Sequence, residues 1–536
     1  MTSGCHVLTP GPTGTGKSVN TSEMLTYDMP EEYLTLTRTF SAQTSANQVQ
    51  DYLDDKFEKR RKGVYGPGIG KKYIVFVDDL NMPKKEEYGA QPPLELLRQY
   101  LDHKGWYDRK TKEKPFNRIE DIYLMAAMGP PGGGRSKITA RIQRHFNILT
   151  YTDLQAESID KIFATIITAF YHNFSQEIKD SIRPIMDMIL RVYDHVLNGP
   201  LKPTPNKSHY TFNLRDISRI CQGLCAANNR QVFEPVHLVR LWVHENKRVF
   251  GDRLIDEKDR SWLDKLLSDE GSSTFKLQVS DIFNVERIIF GDYMEGIDTD
   301  TRIYQQVMDI KLMVTKVIEF LEEYNSSVKI QMKLVMFLDA VDHVSRITRV
   351  IRQPLGNALL LGIGGSGRQS LSRLATFMAN YKLFQIEVIK GYGMQNWRDD
   401  VKICLLDAGC KNQNTSFLFV DTQIVNESML EDINNILNSG DVTNLYKLED
   451  MEGINKVGKN LCTEKGIAVT KMNMFQAYVG QVKKNVHMII AMSPLGEIFR
   501  SRLRKFPSLV NCCTIDWFSE WPEEALLGVG RGQIEA

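Results

Sequence analysis

The sequence predicts an α/β fold: two tandem P-loop modules, each a parallel sheet flanked by helices, with a helical lid after the first core and the second lid missing. Three observations carry this: a phosphate-loop pattern at Gly11–Ser18, apolar runs that end in acidic residues, and a second glycine loop at Gly362 with the same order of elements around it. Alternating strands and helices with such markers belong to parallel sheets.

The first element is the stretch "TPGPTGTGKSVN", a match to G-x-x-x-x-G-K-[ST]. This pattern acquires meaning from a strand ahead, a helix behind and a carboxylate for magnesium elsewhere. Cys5–Leu8 is a short strand and Ser18 opens a helix whose N-terminus faces the phosphates. Gly11, Pro12, Thr13, Gly14, Thr15, Gly16, Lys17 and Ser18 are therefore candidate nucleotide-binding residues. The glycines let backbone N–H groups close on phosphate oxygens, Lys17 reaches the β- and γ-phosphates, and Ser18 ligates Mg²⁺.

Next, "KKYIVFVDDLNMP" reads as a buried parallel strand over Tyr73–Val77, with Asp78 and Asp79 at its carboxyl end. Ligand groups belong at that end of such a strand. Asp78 is expected to hold Mg²⁺ through water and Asp79 to orient the attacking water. "DIYLMAAMGPPGGGR" is a third strand ending in a glycine-rich turn, and "ITARIQRHFNILTYTD" places two arginines before another strand. From about Leu154 the periodicity is helical, and within this lid "HYTFNLRDISRICQGL" puts Arg215 at a helix start, where it could reach a γ-phosphate or be an ordinary surface arginine.

The order then repeats. "NALLLGIGGSGRQSLSRLA" supplies strand, loop and helix, "SFLFVDTQIVNES" a strand ending in Asp421, and "VHMIIAMSPLGEIFRSRLRKFPSLVNC" a third strand followed by arginines. So long a repeat indicates whole domains rather than a solenoid. The predicted boundaries are 1–153 for the first large core, 154–255 for its lid, 256–355 for a helical connector, 356–525 for the second large core and 526–536 for a divergent tail.

Composition excludes several classes. The charge is +1, from 67 basic and 66 acidic residues, so no long-range field attracts nucleic acid or an anionic membrane. No apolar run reaches a bilayer-spanning length, and the start of the chain shows no secretory pattern. A soluble intracellular protein with reduced thiols is expected. Lys59-Arg60-Arg61-Lys62 reads as a solvated helix end, Cys221 and Cys225 as core packing on a helix, and Cys512-Cys513 as adjacent strand residues. The eight cysteines and ten histidines show no metal-ligand spacing.

Together "GPTGTGKS", "FVDDLNMP", "AAMGPPGGGR", "HYTFNLRDISRI", "GGSGRQSLSRLA", "DTQIVNESMLEDINNILNSG" and "FRSRLRKFP" resemble the third and fourth AAA+ modules of an axonemal dynein heavy chain. The resemblance runs to about Leu527. It implies two tandem P-loop AAA+ modules in the ring of a ciliary, minus-end-directed microtubule motor, with ATP or ADP and Mg²⁺ as ligands. It also implies that the chain is a piece of a longer motor. Partners would be the other AAA+ modules, intermediate and light chains through a tail outside this chain, and microtubules through a stalk outside it. The location would be the cytoplasm, the cytoskeleton and the axoneme of cilia or flagella.

Against that pattern the two sites depart. Asp79 stands where AAA+ modules carry a glutamate, one C–C bond of about 1.5 Å shorter. A polar sensor position falls near Gly129. In the second loop (Gly362, Gly364, Gly365, Ser366, Gly367, Arg368, Gln369 and Ser370), Arg368 replaces the lysine and Gln369 the magnesium-binding hydroxyl. Asp421 keeps the metal carboxylate, but Thr422 follows it, and Glu427 comes six residues later. The second site reads as regulatory binding or as no nucleotide at all. Arg502 and Arg504 would act in trans on the site built on Lys17, while Arg141 and Arg144 would face another module. Two functions stay open: slow ATP hydrolysis at the first site, or a non-catalytic ring segment whose nucleotides stabilise packing.

Overall fold

An apolar strand, His6–Pro10 (β1), enters the first glycine loop, and Lys17–Glu23 (α1) leaves it. The computed structural model describes residues 4–296, 302–442, 444–521, 523, 526 and 527; the tail expected over 526–536 lies otherwise outside these. The chain forms two bodies. One comprises 1–154, 426–479 and 504–507; the other comprises 155–425, 480–503 and 508–536.

In the first body β1 and α1 are followed by Tyr33–Thr39 (β2), Ala46–Asp54 (α2), Glu58–Arg61 (β3), Val64–Gly66 (β4), Lys72–Asp78 (β5) and Pro92–His103 (α3). Then come Gly105–Tyr107 (β6), Phe116–Ile119 (β7), Ile122–Met128 (β8), Ala140–Gln143 (α4) and Phe146–Ile148 (β9). The main sheet has the order β2-β5-β8-β1-β9 and is parallel throughout. Ile74, Val75, Phe76 and Val77 are all buried, as expected for a central strand covered on both faces. Register sets Pro10 opposite Met128 and Val77 opposite Ala126, so the ends of β1, β8 and β5 share one edge.

A second sheet, β3-β4-β7-β6, corrects the reading of residues 59–62. Glu58–Arg61 is a strand rather than a helix end, paired antiparallel with β4. Arg60 pairs with Asp121 at 2.5 Å and donates to the Pro67 carbonyl at 2.9 Å, so this charge is consumed by tertiary contacts.

The second body starts with the helices Ala156–Phe170 (α5), Gln176–Asn198 (α6), Leu214–Leu224 (α7), Pro235–Asn246 (α8), Glu257–Phe275 (α9) and Val279–Ile282 (α10). A short antiparallel pair, Phe290–Gly291 (β10) and Gln305–Gln306 (β11), precedes Ile310–Ser327 (α11) and Leu338–Arg352 (α12). Its sheet is built from Ala358–Leu361 (β12), with Arg368–Met378 (α13) behind it, Lys382–Phe384 (β13), Met394–Cys410 (α14) and Thr415–Val420 (β14). After Glu427–Ser439 (α15), Leu448–Glu464 (α16) and Lys471–Asn485 (α17) come Val486–Met492 (β15), Gly496–Lys505 (α18), Ser508–Asn511 (α19) and Thr514–Trp517 (β16). The order β13-β14-β15-β12-β16 repeats that of the first sheet, strand for strand.

Cys512 and Cys513 lie between α19 and β16 rather than on a strand, because the Cys512 N–H donates to the Ser508 carbonyl and closes the helical turn. The helices over 426–479 belong with the first body. There Ser41 and Thr44 donate to Glu431 Oε1 at 3.1 and 3.3 Å, and Lys505 meets Glu427 at 2.6 Å. Among the described residues no helix is long and apolar enough to cross a membrane.

Candidate functional site

The first site forms where the ends of β1, β8 and β5 meet. Gly14 and Gly16 hold φ of 91° and 80°, conformations open to glycine and costly for other residues. The Gly11 N–H donates to the Met128 carbonyl at 3.1 Å, and a Cβ at Gly11 would lie 2.5 Å from the Tyr151 carbonyl oxygen, so the loop entry admits only glycine. The buried Lys17 ammonium donates to the carbonyls of Gly11, at 2.8 Å, and Pro12, and Thr15 closes on the Pro12 carbonyl at 3.0 Å. No side chain caps the start of α1. A glycine-rich loop of this kind, closed around a lysine ammonium, fits a polyphosphate. Pro12, Thr13 and Ser18 are half-buried along it.

Asp78 ends β5 and accepts the N–H of Asp79 at 3.0 Å. Asp79 itself sits at φ 53°, a left-handed conformation that aspartate tolerates better than glutamate. The backbone therefore offers a reason for the shorter acid. Its Oδ1 accepts from Arg135 at 3.2 Å, a partner that sequence reading missed. A Cβ at Gly129 would lie 2.7 Å from Arg135 Nε, so the guanidinium fills the space beside the expected sensor position. The signal was present in the sequence as the arginine closing "GPPGGGR".

In the second body the loop from Gly362 to Gly367 repeats this geometry, with φ of 83° at Gly365 and 79° at Gly367. Gly364 and Gln369 are exposed and Ser370 half-buried. Arg368 donates to the carbonyls of Met492 and Ile363, the latter at 3.1 Å, while Asp421 accepts the Ser493 N–H at 2.8 Å. The two side chains thus meet successive residues at the end of β15. Burial lowers the Arg368 pKa, and the nearby Asp421 carboxylate opposes that shift. Beside the loop is a cavity of about 1030 Å³ whose wall includes Leu334, Val335, Phe337, Ser366, Gly367 and Trp521. The Ser366 hydroxyl oxygen is buried without a hydrogen-bond partner among the described residues. The rest of the lining is strongly charged, with Lys247, Glu286, Arg287 and Lys333 among the residues that share it.

The same body holds a buried ion network. Arg248 pairs with Asp342 at 3.0 Å, and Arg346 pairs with Asp342 at 2.6 Å and with Asp516 at 2.9 Å. His343 meets Asp516 at 2.7 Å and stacks on Phe518, ring centroids 3.8 Å apart, in the cavity wall. Burial raises the Asp252 carboxyl to about 6, against the pull of Arg248 and Arg346.

Arg215 is exposed in the first turn of α7, behind the capping box of Asn213 and Asp216. Arg502 lies on α18, its Nε buried without a partner among the described residues. Arg504 follows on that helix, and its carbonyl oxygen would stand 2.4 Å from a Cβ at Gly134, in the turn that carries Arg135. Arg144 pairs with Asp102 at 2.7 Å.

Family models for a P-loop containing dynein motor region match residues 1–154, for an AAA+ lid domain residues 185–284, and for P-loop containing dynein motor region D4 residues 332–536. Dynein axonemal heavy chain 1 of Mus musculus is 49% identical over 535 residues, which is 98% of this chain and 12% of the relative. The chain belongs to the dynein heavy chain family.

Other dynein relatives agree. Dynein axonemal heavy chain 1 of Homo sapiens is 49% identical over 98% of this chain, and dynein axonemal heavy chain 3 of Homo sapiens is 43% identical over 98%. The chain spans 12% and 13% of the lengths of these relatives. Its α/β cores are AAA+ P-loop modules, which are nucleotide-binding modules.

Proposed function

We propose that this chain is the ATP-binding, slowly hydrolysing segment of the AAA+ motor ring of an axonemal dynein heavy chain, and that its two sites are chemically unequal. At the first site Lys17 and the loop of Gly11–Gly16 hold the phosphates, and Ser18 and Asp78 would hold Mg²⁺, which supplies charge neutralisation at the β- and γ-phosphates. Asp79 orients water. At the second site Arg368 stands for the lysine, Asp421 keeps a carboxylate for the metal, and Thr422 cannot polarise water, so that site retains nucleotide as a ligand. Arg502 and Arg504 act as trans-finger residues of the first site, and Arg215 reads nucleotide from the lid.

Asp79 carries this reading. A carboxylate placed to orient water is one side-chain bond shorter than glutamate and sits at a left-handed backbone position, an arrangement that supports binding more than turnover. The parent motor's partners follow from its family: other AAA+ modules beside this segment, microtubules through a stalk, and intermediate and light chains through a tail. An axonemal, cytoskeletal location accords with these.

Single-turnover hydrolysis measured beside nucleotide affinity tests the proposal. Asp79→Asn is expected to suppress hydrolysis while ATP stays bound, and Lys17→Ala to lose both. Asp79→Asn hydrolysing at the parent rate, in a preparation where Lys17→Ala is inactive, would remove Asp79 from the mechanism.

A further inference from the structure

We propose that Arg135 reads the terminal phosphate of the nucleotide at the first site, and that triphosphate binding draws it away from Asp79. This rests on the nucleotide-site reading above. Gly129 follows Met128, whose carbonyl receives the N–H of Gly11, so the end of β8 touches the entry to the phosphate loop. A Cβ at Gly129 would lie 2.7 Å from Arg135 Nε and 2.9 Å from its Cδ, which puts the arginine stem against that strand end.

The donor inventory is the second step. One terminal nitrogen of Arg135 donates to Asp79 Oδ1 at 3.2 Å, and Nε is buried with no hydrogen-bond partner among the described residues. A buried guanidinium N–H left unmade is costly, and a planar fork suits phosphate oxygens. An anion at the terminal-phosphate position would supply the acceptor. The diphosphate would not, because the missing group is the one Asp79 serves.

Rigidity is the third. Gly132 and Arg135 exchange backbone hydrogen bonds of 3.0 Å in both directions, through glycines at φ of 126°, 57° and 94°. The turn fixes the start of the side chain, leaving its head to choose between carboxylate and phosphate.

Equilibrium binding of ADP and of a non-hydrolysable ATP analogue to the full chain with Mg²⁺ tests this, with Lys17→Ala subtracted as the blank for the first site. Arg135→Ala is expected to weaken the triphosphate by about 10-fold or more, the scale of a charge-assisted hydrogen bond, and ADP by less than about twofold. Arg135→Lys restores part of the discrimination by keeping the charge. Arg135→Gln, which keeps the stem and a donor at the Nε level but loses the charge and the terminal nitrogens, reports the same ratio if the alanine variant does not fold. Equal losses of both nucleotides, or no change in either while Lys17→Ala still loses nucleotide, would overturn the inference and leave the binding site standing. Absence of any Lys17-dependent binding would instead overturn the site reading, and the inference with it.

Discussion

Ser41 donates a hydrogen bond to Glu431 at 3.1 Å across 390 residues of sequence. Thr44 donates to the same oxygen, and the carboxylate is buried. Ser41 belongs to the loop after β2, one residue beyond Phe40, whose N–H meets the Asp78 carbonyl at 2.9 Å. Glu431→Ala removes a buried charged acceptor, and the first body should lose about 1–3 kcal/mol in chemical denaturation. Glu431→Gln, which keeps one acceptor oxygen, should lose less. Equal losses would show that charge alone matters.

The unequal loops predict an unequal response to truncation. Lys17→Ala should lower ATP affinity by about 10-fold or more, since a buried cation is lost. Arg368→Ala should matter less to total bound nucleotide, because the second loop also lacks the magnesium-binding hydroxyl, with Gln369 in its place. Equal losses by equilibrium dialysis would sink the ranking.

Acid should weaken the second body through His209. The ring is buried, Nε2 lies 2.9 Å from the Arg253 carbonyl, and burial lowers its pKa from 6.5 to about 4. Unfolded His209 takes up a proton before the folded one does. Stability is thus whole above pH 6.5 and falls as pH drops toward 4, by roughly 3 kcal/mol in total. His209→Gln should flatten that part of the pH–stability curve, and an unchanged slope would exclude this histidine as its source.

Glu245 and Arg349 form a buried pair joined by Tyr304, whose hydroxyl donates to Glu245 at 2.8 Å. Arg349→Met leaves a buried carboxylate uncompensated and should cost about 3–5 kcal/mol. Glu245→Gln with Arg349→Met should cost less than Arg349→Met alone. Gly223→Ala should also destabilise, because its Cβ would fall 1.7 Å from Glu245 Oε2, held in place by that pair. Thermal denaturation of the three variants checks the order.

Local patterns revealed much of this protein and tertiary ones did not. Both glycine loops, Asp78, Asp421 and the apolar strands are written in short contiguous stretches, and the structure builds two sheets of equal order from them. Glu58–Arg61 escapes a local reading because its charges suit a helix end equally well and the deciding partner, Asp121, lies 61 residues beyond Arg60. The left-handed φ of Asp79 has no sequence marker beyond the residue type. Arg135 was visible only as the end of a glycine turn, and its meeting with Asp79 requires β5 and β8 to lie side by side. The cavity wall likewise joins residues 334–337 to Trp521, segments no periodicity connects.

Gly134 meets residue 504 through main-chain atoms on the arginine's side. The glycine has no side chain to withdraw, and the carbonyl it faces is common to every amino acid. A substitution at Arg504 therefore changes the chemistry of the guanidinium without altering this touch, whereas a substitution at Gly134 alters the touch and spares the guanidinium. The two positions form a natural pair of genetic separators: one changes the guanidinium alone, the other the packing of the turn that bears Arg135.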